Sequence, residues 1–239
     1  MGEGVEKGME YDFLNEGTRT IPDTFYPVEK LQRFIHLGIV KSYAKGSAVI
    51  LPGDKEYLLI YVLSGKVQIN MVTEEGRQRL VYFCGKNGIM GRIFQTNNDN
   101  AYATAIEKCR VCFFSKEQLL TIFQTDCDIY FEIIKNGFSK TLYFMKQTVE
   151  MELYNPAVRI VRLLYGLCIS NGIPVGDSYE VRLELSQKRI SEISGVHFVT
   201  VSKVLAFLIK QKIIEKKKGK VIIHDLDRLK ELTFEKRLF

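Results

Sequence analysis

The stretch from Leu185 to Ile209, LSQKRISEISGVHFVTVSKVLAFLI, constrains the fold most because it predicts two short helices joined at a glycine. Ser186 is a typical N-cap residue, and Ile190 and Ile193 give the first helix one apolar side. Gly195 permits a tight turn. The second helix has apolar residues at helical spacing, namely Val201, Val204, Leu205 and Leu208. The pattern is typical of a helix-turn-helix, whose second helix enters the DNA major groove. An ordinary pair of packed helices is the alternative.

The segment after these helices, IIEKKKGKVIIHD, favours the DNA-binding interpretation. Two β-branched runs flank a lysine-rich turn with Lys218 at its tip, which predicts a two-stranded wing that contacts phosphates. Charge is distributed accordingly. Of the 34 Lys and Arg and 28 Asp and Glu, 14 basic and 8 acidic residues lie from residue 180 onward, against 20 and 20 before it. The basic excess is therefore confined to the part of the chain that would meet a polyanion.

The N-terminal half has the pattern of a small antiparallel β-roll. Residues 1–20 are Gly- and Glu-rich without periodicity and predict a flexible arm, and a short helix is expected from Pro27. From Ile39 to Phe114, short β runs alternate with Gly-containing turns. Such a pattern predicts a roll with just enough interior for side chains or one small ligand.

Residues 128–154 predict one long helix with a heptad-like apolar seam, formed by Phe131, Phe138, Leu142, Met145 and Val149. Its apolar face exceeds what a small roll can cover, so we interpret it as a dimer interface; packing wholly within its own chain is the alternative. Asn155-Pro156 then breaks the helix and predicts a hinge. The expected α+β architecture is an arm (1–20), a roll (21–127), a dimerisation helix (128–154) and a winged helix-turn-helix (155–239).

Several function classes are disfavoured by what the sequence lacks. It has neither an apolar run long enough to span a membrane nor an N-terminal signal core, so a cytoplasmic protein is expected. The five cysteines lie mostly in apolar runs and predict buried, reduced thiols. Cys109 and Cys112 have CxxC spacing but would point to opposite faces of a strand, so no metal site is expected. Residues 37–196 contain no histidine, which argues against a metal-dependent enzyme built on the roll.

Roll, long helix, hinge and winged helix-turn-helix, in that order, resemble the CRP/FNR family of bacterial transcription regulators across essentially the whole chain. Within it, the chain is similar to the branch that activates reductive dehalogenase genes in halorespiring anaerobes. That similarity rests on the segments IPDTFYPVEKLQRF, AKGSAVILPG, NAYATAIE, FEIIKNGFSK, EMELYNPAVRIVRLLYGLC and GVHFVTVSKVLA. The resemblance implies a homodimeric activator, not an enzyme, that binds a palindromic promoter site in double-stranded DNA and works with RNA polymerase.

The family's usual effectors do not fit the roll. Cyclic-nucleotide sensors have Gly-Glu followed by a phosphate-binding Arg-Ser, whereas this chain has Gly91-Arg92 and, at the second position, Asp99-Asn100. A phosphate would lose its cation and meet a carboxylate, so cyclic AMP is rejected. Oxygen sensors bind an iron–sulfur cluster through N-terminal cysteines, and residues 1–83 contain none. Haem needs an axial ligand from the roll or its flanks, and the three histidines are His36, His197 and His224, two of them in the DNA-binding half. Haem is therefore disfavoured, although it stays open as an alternative.

The resemblance to the halorespiration branch implies an ortho-chlorinated phenol as effector. Its binding residues would be Tyr82, Gly91, Arg92, Thr96, Asn98 and Lys140. An ortho halogen lowers the pKa of a phenol, so a buried lysine would discriminate the phenolate from the neutral parent. The alternative is that Arg92 and Lys140 are solvated charges. This branch has a tyrosine where the chain has Gly137, which predicts a different or bulkier effector. Members of this branch can form a redox disulfide between a cysteine of the N-terminal arm and a cysteine of the recognition helix. This chain has no cysteine in the arm and has Phe207 at the helix position, so no such disulfide is expected.

At the DNA surface, the family's base-reading positions correspond to Phe198, Val199 and Lys203. Val199 replaces a glutamate that accepts from cytosine, and its apolar surface suits a thymine methyl. The sequence therefore predicts an A·T-rich half-site, in agreement with the TTAAT-type palindrome that the resemblance implies. Contacts to the DNA backbone are expected from Ser186, Gln187, Lys188, His197, Thr200, Ser202 and Lys218. A regulator with another small-molecule effector and a ligand-independent DNA-binding dimer remain alternatives.

Overall fold

The computed structural model describes residues 23–51, 57–72, 78–91, 101–181, 186–235 and 238. A 3₁₀ helix, Glu29–Leu37, precedes the roll. The roll has strands β1 (Ile39–Tyr43), β2 (Ala48–Ile50), β3 (Leu59–Ser64), β4 (Val67–Val72), β5 (Gln78–Cys84), β6 (Ile89–Gly91), β7 (Ala101–Ala105) and β8 (Cys109–Phe114). They form two antiparallel sheets with the orders β1-β8-β3-β6 and β2-β7-β4-β5.

Strand β8 shows how the roll is filled, because its alternate side chains enter different cores. Cys109, Val111 and Phe113 face the interior between the two sheets. Cys112 and Phe114 face the opposite core, which packs against the flanking helices. Cys109 and Cys112 therefore lie on opposite faces, as their spacing predicts. Gly65, with a φ of +76°, makes the β3–β4 turn, and a Cβ there would lie 2.4 Å from the carbonyl oxygen of Lys108.

Two helices follow the roll. Helix α1 (Lys116–Thr125) begins with a capping box, in which Ser115 and Gln118 satisfy each other's backbone N–H groups. Helix α2 (Asp128–Leu153) has 26 residues and is about 39 Å long. One of its faces is buried against the roll, through Ile129, Ile133, Asn136 and Tyr143.

The opposite face of α2 carries the predicted seam, which is exposed in the single chain. The exposed fractions are 60% for Phe131, 65% for Phe138, 59% for Leu142, 60% for Met145 and 47% for Val149. The alternative that α2 packs wholly within its own chain is therefore wrong. An apolar face of this length is typical of an interface with another chain.

The C-terminal part begins where Asn155 caps helix α3 (Pro156–Asn171), its side chain accepting from the N–H groups of Ala157 and Val158. The further elements are β9 (Gly172–Val175), β10 (Ser178–Val181), α4 (Gln187–Ser194), α5 (Phe198–Lys210), β11 (Ile214–Lys217), β12 (Lys220–Ile223) and α6 (Leu226–Leu232). The strands form one antiparallel sheet, β11-β12-β10-β9. Helices α3, α4 and α5 share a core with this sheet.

The structure departs from the sequence-based expectations at several elements. The helix expected near Pro27 is a 3₁₀ helix. Strand β6, helices α1 and α6, and the β9–β10 hairpin were not anticipated, and Cys127 is exposed whereas the other four cysteines are buried. The predicted arm, residues 1–20, lies outside the described residues.

Within the described ranges no single helix is long and apolar enough to cross a membrane. Only the pair α4 and α5 together meets the length and composition requirement, and these helices are bent by 116°.

Candidate functional site

The structure brings Tyr82 and Lys140 together between β5 and α2. The ammonium Nζ of Lys140 lies 4.7 Å from the centroid of the Tyr82 ring and donates a 3.0 Å hydrogen bond to the carbonyl oxygen of Ile89. The ring of Phe25 lies on another side, with its centroid 6.0 Å from Nζ. Lys140 is thus surrounded by aromatic and backbone groups, and the alternative that it is a solvated surface charge is wrong.

Burial has an electrostatic consequence for this cluster. Desolvation lowers the pKa of Lys140 from 10.5 to about 8, and the nearby Cys84 opposes the change only in part. Burial also raises the pKa of Cys84 to about 12 and holds that of Tyr82 well above 10, so both stay neutral near pH 7. Among the described residues, this is therefore a site with a desolvated cation and neutral neighbours, which favours a bound anion.

The remaining predicted effector residues have other positions. Arg92, Thr96 and Asn98 lie outside the described residues. Gly91 ends β6, where a Cβ would lie 2.4 Å from the carbonyl oxygen of Leu58, so close strand packing explains this glycine. It lines a cleft of about 290 Å³ together with Lys41, Tyr57 and Phe113. At Gly137, on the exposed surface of α2, a Cβ would meet nothing within 4 Å, so space is open there.

Sequence reasoning missed Phe25 and Tyr143 as neighbours of the cluster. Phe25 is 2% exposed, and its ring centroid lies 5.7 Å from those of both Tyr82 and Tyr143. Phe25 precedes the strands of the roll in sequence, and its place in the segment IPDTFYPVEKLQRF, which carries part of the family resemblance, is the signal that could have drawn attention to it. Tyr143 lies on the buried face of α2, opposite the seam.

The second candidate surface is the helix-turn-helix. Ser186 accepts from the N–H of Arg189 and caps α4, and Gly195 adopts a φ of +64° between the helices. His197 caps α5, its Nδ1 accepting from the N–H of Val199. This capping role was not foreseen. Helix α5 buries the predicted apolar positions Val201, Val204, Leu205 and Leu208, and the pair of helices is confirmed as a helix-turn-helix.

The predicted DNA-contacting residues lie on the open side of this unit. Phe198 and Val199 are 47% and 50% exposed at the N-terminus of α5. Lys188, His197 and Lys203 are exposed too, while Gln187, Thr200 and Ser202 are half-buried. An exposed helix N-terminus without acidic residues in its first turn suits a phosphate. The wing is formed by β11 and β12, and Lys218 lies at the turn. Lys217 and Lys220 pair with Glu215 and Glu180, so Lys218 is the better-placed phosphate contact.

The helix-turn-helix also contacts the roll of its own chain. Arg189 on α4 donates a 3.1 Å hydrogen bond from Nη1 to Oε1 of Gln68 on β4. Its guanidinium lies 4.3 Å from the centroid of the Phe83 ring on β5. Beside this contact, a cleft of about 400 Å³ separates β5, α2 and α4, with Arg79, Tyr143, Met151 and Ile193 in its walls.

Comparison with known proteins covers both halves of the chain. Residues 40–126 match the model of the cyclic nucleotide-binding domain, and residues 158–232 match the Crp-like helix-turn-helix domain. A curated relative, the global nitrogen regulator of Nostoc sp. (strain PCC 7120), is 24% identical over 190 residues, which are 78% of this chain and 85% of that protein.

Solved structures of CprK are more similar. A variant of CprK complexed with OCPA is 47% identical and superposes with a TM-score of 0.83, covering 90% of this chain and 98% of that one. Reduced CprK in the absence of any ligand is 48% identical, covers 87% of this chain and 100% of that one, and superposes with a TM-score of 0.50. Oxidised CprK with o-chlorophenolacetic acid, 46% identical and covering 92% and 93%, has a TM-score of 0.53. The whole chain therefore superposes better on the OCPA complex of the CprK variant than on the other two structures.

Proposed function

The chain belongs to the CRP/FNR family of DNA-binding transcription regulators, and from that premise we propose that it is a transcription activator gated by an ortho-chlorinated phenol. The effector binds between the roll and α2, and a homodimer then presents its two recognition helices to a palindromic A·T-rich site of the TTAAT type. With RNA polymerase, the dimer switches on reductive dehalogenase genes. Both macromolecular partners are cytoplasmic in bacteria.

The half-buried cation Lys140, desolvated between aromatic rings, is the observation that carries this proposal. The Coulomb attraction of a phenolate placed against the ammonium offsets the desolvation cost of this cation. A neutral phenol has no charge and does not offset it. The ring of the effector meets aromatic side chains, because Tyr82 and Phe25 flank the ammonium. CprK has been solved in complex with OCPA and with o-chlorophenolacetic acid, which supports a chlorinated aromatic acid as the effector here.

We propose that this chain binds none of the family's usual effectors, which are cyclic AMP, haem and iron–sulfur clusters. Residues 1–83 have no cysteine for a cluster, and Arg92 stands where a cyclic-nucleotide sensor has its ribose-binding glutamate. Among the described residues, no group of three His, Cys, Asp or Glu side chains could hold a metal ion. Because Gly137 lacks the ring of the tyrosine that the halorespiration branch has at this position, we propose a different or bulkier halogenated aromatic than the CprK ligands.

A gel shift with a TTAAT palindrome tests the proposal, run with and without an ortho-chlorophenol on the purified full chain. The effector should tighten DNA binding of the wild type and leave a Lys140→Met variant unchanged. Lys135→Met is the matched control, because Lys135 is exposed on the same helix. Equal DNA binding with and without every chlorophenol tested would favour the ligand-independent dimer. Transcription from a promoter with this site, reconstituted with RNA polymerase, then separates activation from mere binding.

A further inference from the structure

The segment Asp23–Val28, here called the strap, spans the gap between β5 and α2 and is fixed to both. On the roll side, the N–H of Thr24 donates to the carbonyl oxygen of Phe83 at 2.8 Å. On the helix side, Nδ2 of Asn136 donates to the carbonyl oxygen of Tyr26 at 2.6 Å. The strap therefore closes the candidate effector site from outside the roll.

The side chain between these two anchors is Phe25, and it points into the site. Its ring is edge-on to both Tyr82 and Tyr143, with interplanar angles of 63° and 68°. The ammonium of Lys140 lies 6.0 Å from its centroid. Phe25 thus adds a second aromatic ring beside Lys140, next to that of Tyr82, from a segment that belongs neither to the strands of the roll nor to α2.

The backbone of the strap holds this ring in place. Thr24 has a φ of +40°, a conformation that a β-branched residue adopts only when its surroundings enforce it. The enforcing contacts are the backbone bond to Phe83 and the hydrogen bond from the N–H of Gly85 to Oγ1 of Thr24, at 2.7 Å. Asp23 adds an ion pair with Lys66 at 2.6 Å. The position of Phe25 is therefore fixed by several contacts rather than by burial alone.

We propose that Phe25 is a specificity-determining residue of the effector site, whose ring covers Lys140 and makes the site prefer flat aromatic anions to other anions of the same size. This rests on the proposed function and names the property of the ligand that is recognised. A lysine by itself attracts any small anion. Selecting an aromatic anion over a non-aromatic one therefore requires a neighbouring surface that is complementary to the flat shape and the π-system of the ligand. The positive edge of the Phe25 ring is complementary to the negative face of an aromatic ligand.

Calorimetric titration of the full chain tests the preference, with ortho-chlorophenol and cyclohexanecarboxylate as probes. Phe25→Leu keeps an apolar side chain of similar size but removes the ring. The ratio of the two affinities should shrink about threefold to tenfold in this variant, because an aromatic pair contributes roughly that factor. Tyr26→Ala is the control, since Tyr26 is on the same strap but 38% exposed, and its ratio should stay at the wild-type value. An unchanged ratio in Phe25→Leu overturns the proposal.

A second measurement does not depend on the effector. Acetylation of Lys140 by acetic anhydride, followed by mass spectrometry, should be severalfold faster in Phe25→Leu and Phe25→Ala than in the wild type or Tyr26→Ala. Equal rates would show that Phe25 does not cover Lys140 and would overturn the proposal, and Phe25→Leu decides this if Phe25→Ala fails to fold. A wild type that binds no chlorophenol but shows the labelling difference refutes the proposed effector, while the covering role of Phe25 stands.

Discussion

Replacing Lys140 by methionine should stabilise the effector-free protein near neutral pH while abolishing its binding of phenolates. Methionine fills the same space without a charge, so it removes the desolvation of the ammonium. The pKa of Lys140 falls from 10.5 to about 8 on folding, and at about 1.4 kcal/mol per pH unit this corresponds to about 3 kcal/mol. Loss of the hydrogen bond to Ile89 costs about 1 kcal/mol in return. The net gain in unfolding free energy is about 2 kcal/mol.

The stability advantage of Lys140→Met over the wild type should decrease as the pH rises. Below pH 8 Lys140 is protonated in both the folded and the unfolded chain, so the wild type bears the whole desolvation cost. Between pH 8 and 10.5 the folded chain releases its proton first, and the cost disappears as the pH rises. The advantage of Lys140→Met should therefore be complete at pH 7 and largely lost at pH 10.

Urea denaturation at pH 7 and pH 10 measures the difference, at one fixed protein concentration because a dimer's stability depends on it. Lys135→Met is the control and should be nearly neutral at both pH values. A Lys140→Met variant that is less stable than the wild type at pH 7 would refute the desolvation argument. So would an advantage that is independent of pH, because it would arise from packing rather than from the charge.

Three further outcomes are expected. Val199→Glu should shift the preference towards a G·C pair in each half-site by about 1 to 3 kcal/mol, and unchanged specificity in a gel-shift competition would show that Val199 does not contact a base. Phe138→Asp, in the exposed seam of α2, should yield a monomer in sedimentation velocity, whereas a persistent dimer would place the interface elsewhere. Gly91→Ala should lower the unfolding free energy by about 1 to 3 kcal/mol through the contact of its Cβ with Leu58, and an unchanged thermal midpoint would contradict the close strand packing.

The parts of the fold that could be predicted from the sequence are those governed by local rules. The helix-turn-helix followed from an N-cap at Ser186, a glycine at position 195 and apolar spacing within one short stretch. Helix α2 followed from its periodicity and from the Asn155-Pro156 break. Strand β6 was missed because three residues cannot show an alternation, and the β9–β10 hairpin because Ile173-Pro174-Val175 has no polar partner positions.

The candidate site was less predictable, since it depends on contacts between distant segments. Lys140 is a lone basic residue on an amphipathic helix, and the sequence around it does not indicate that its side chain is desolvated. Only the family resemblance singled it out. Phe25 lies outside both the roll pattern and the helix pattern, so no periodicity assigned it to a core. His197 was interpreted as a phosphate contact, yet its ring nitrogen caps α5, a role that local hydrogen-bond geometry decides.

Strand β5 connects the two candidate surfaces in a way that only the three-dimensional structure shows. Its neighbouring residues Tyr82 and Phe83 point to opposite sides: Tyr82 lies beside Lys140, and Phe83 lies beneath the guanidinium of Arg189 on the first helix of the helix-turn-helix. The strap also bonds to the backbone of Phe83. A change in the position of β5 therefore alters the effector site and the helix-turn-helix contact of the same chain together, because no mobile linker separates adjacent residues of a strand. In the proposed dimer we expect the long helix to set the distance between the two recognition helices, and β5 to influence the orientation of each.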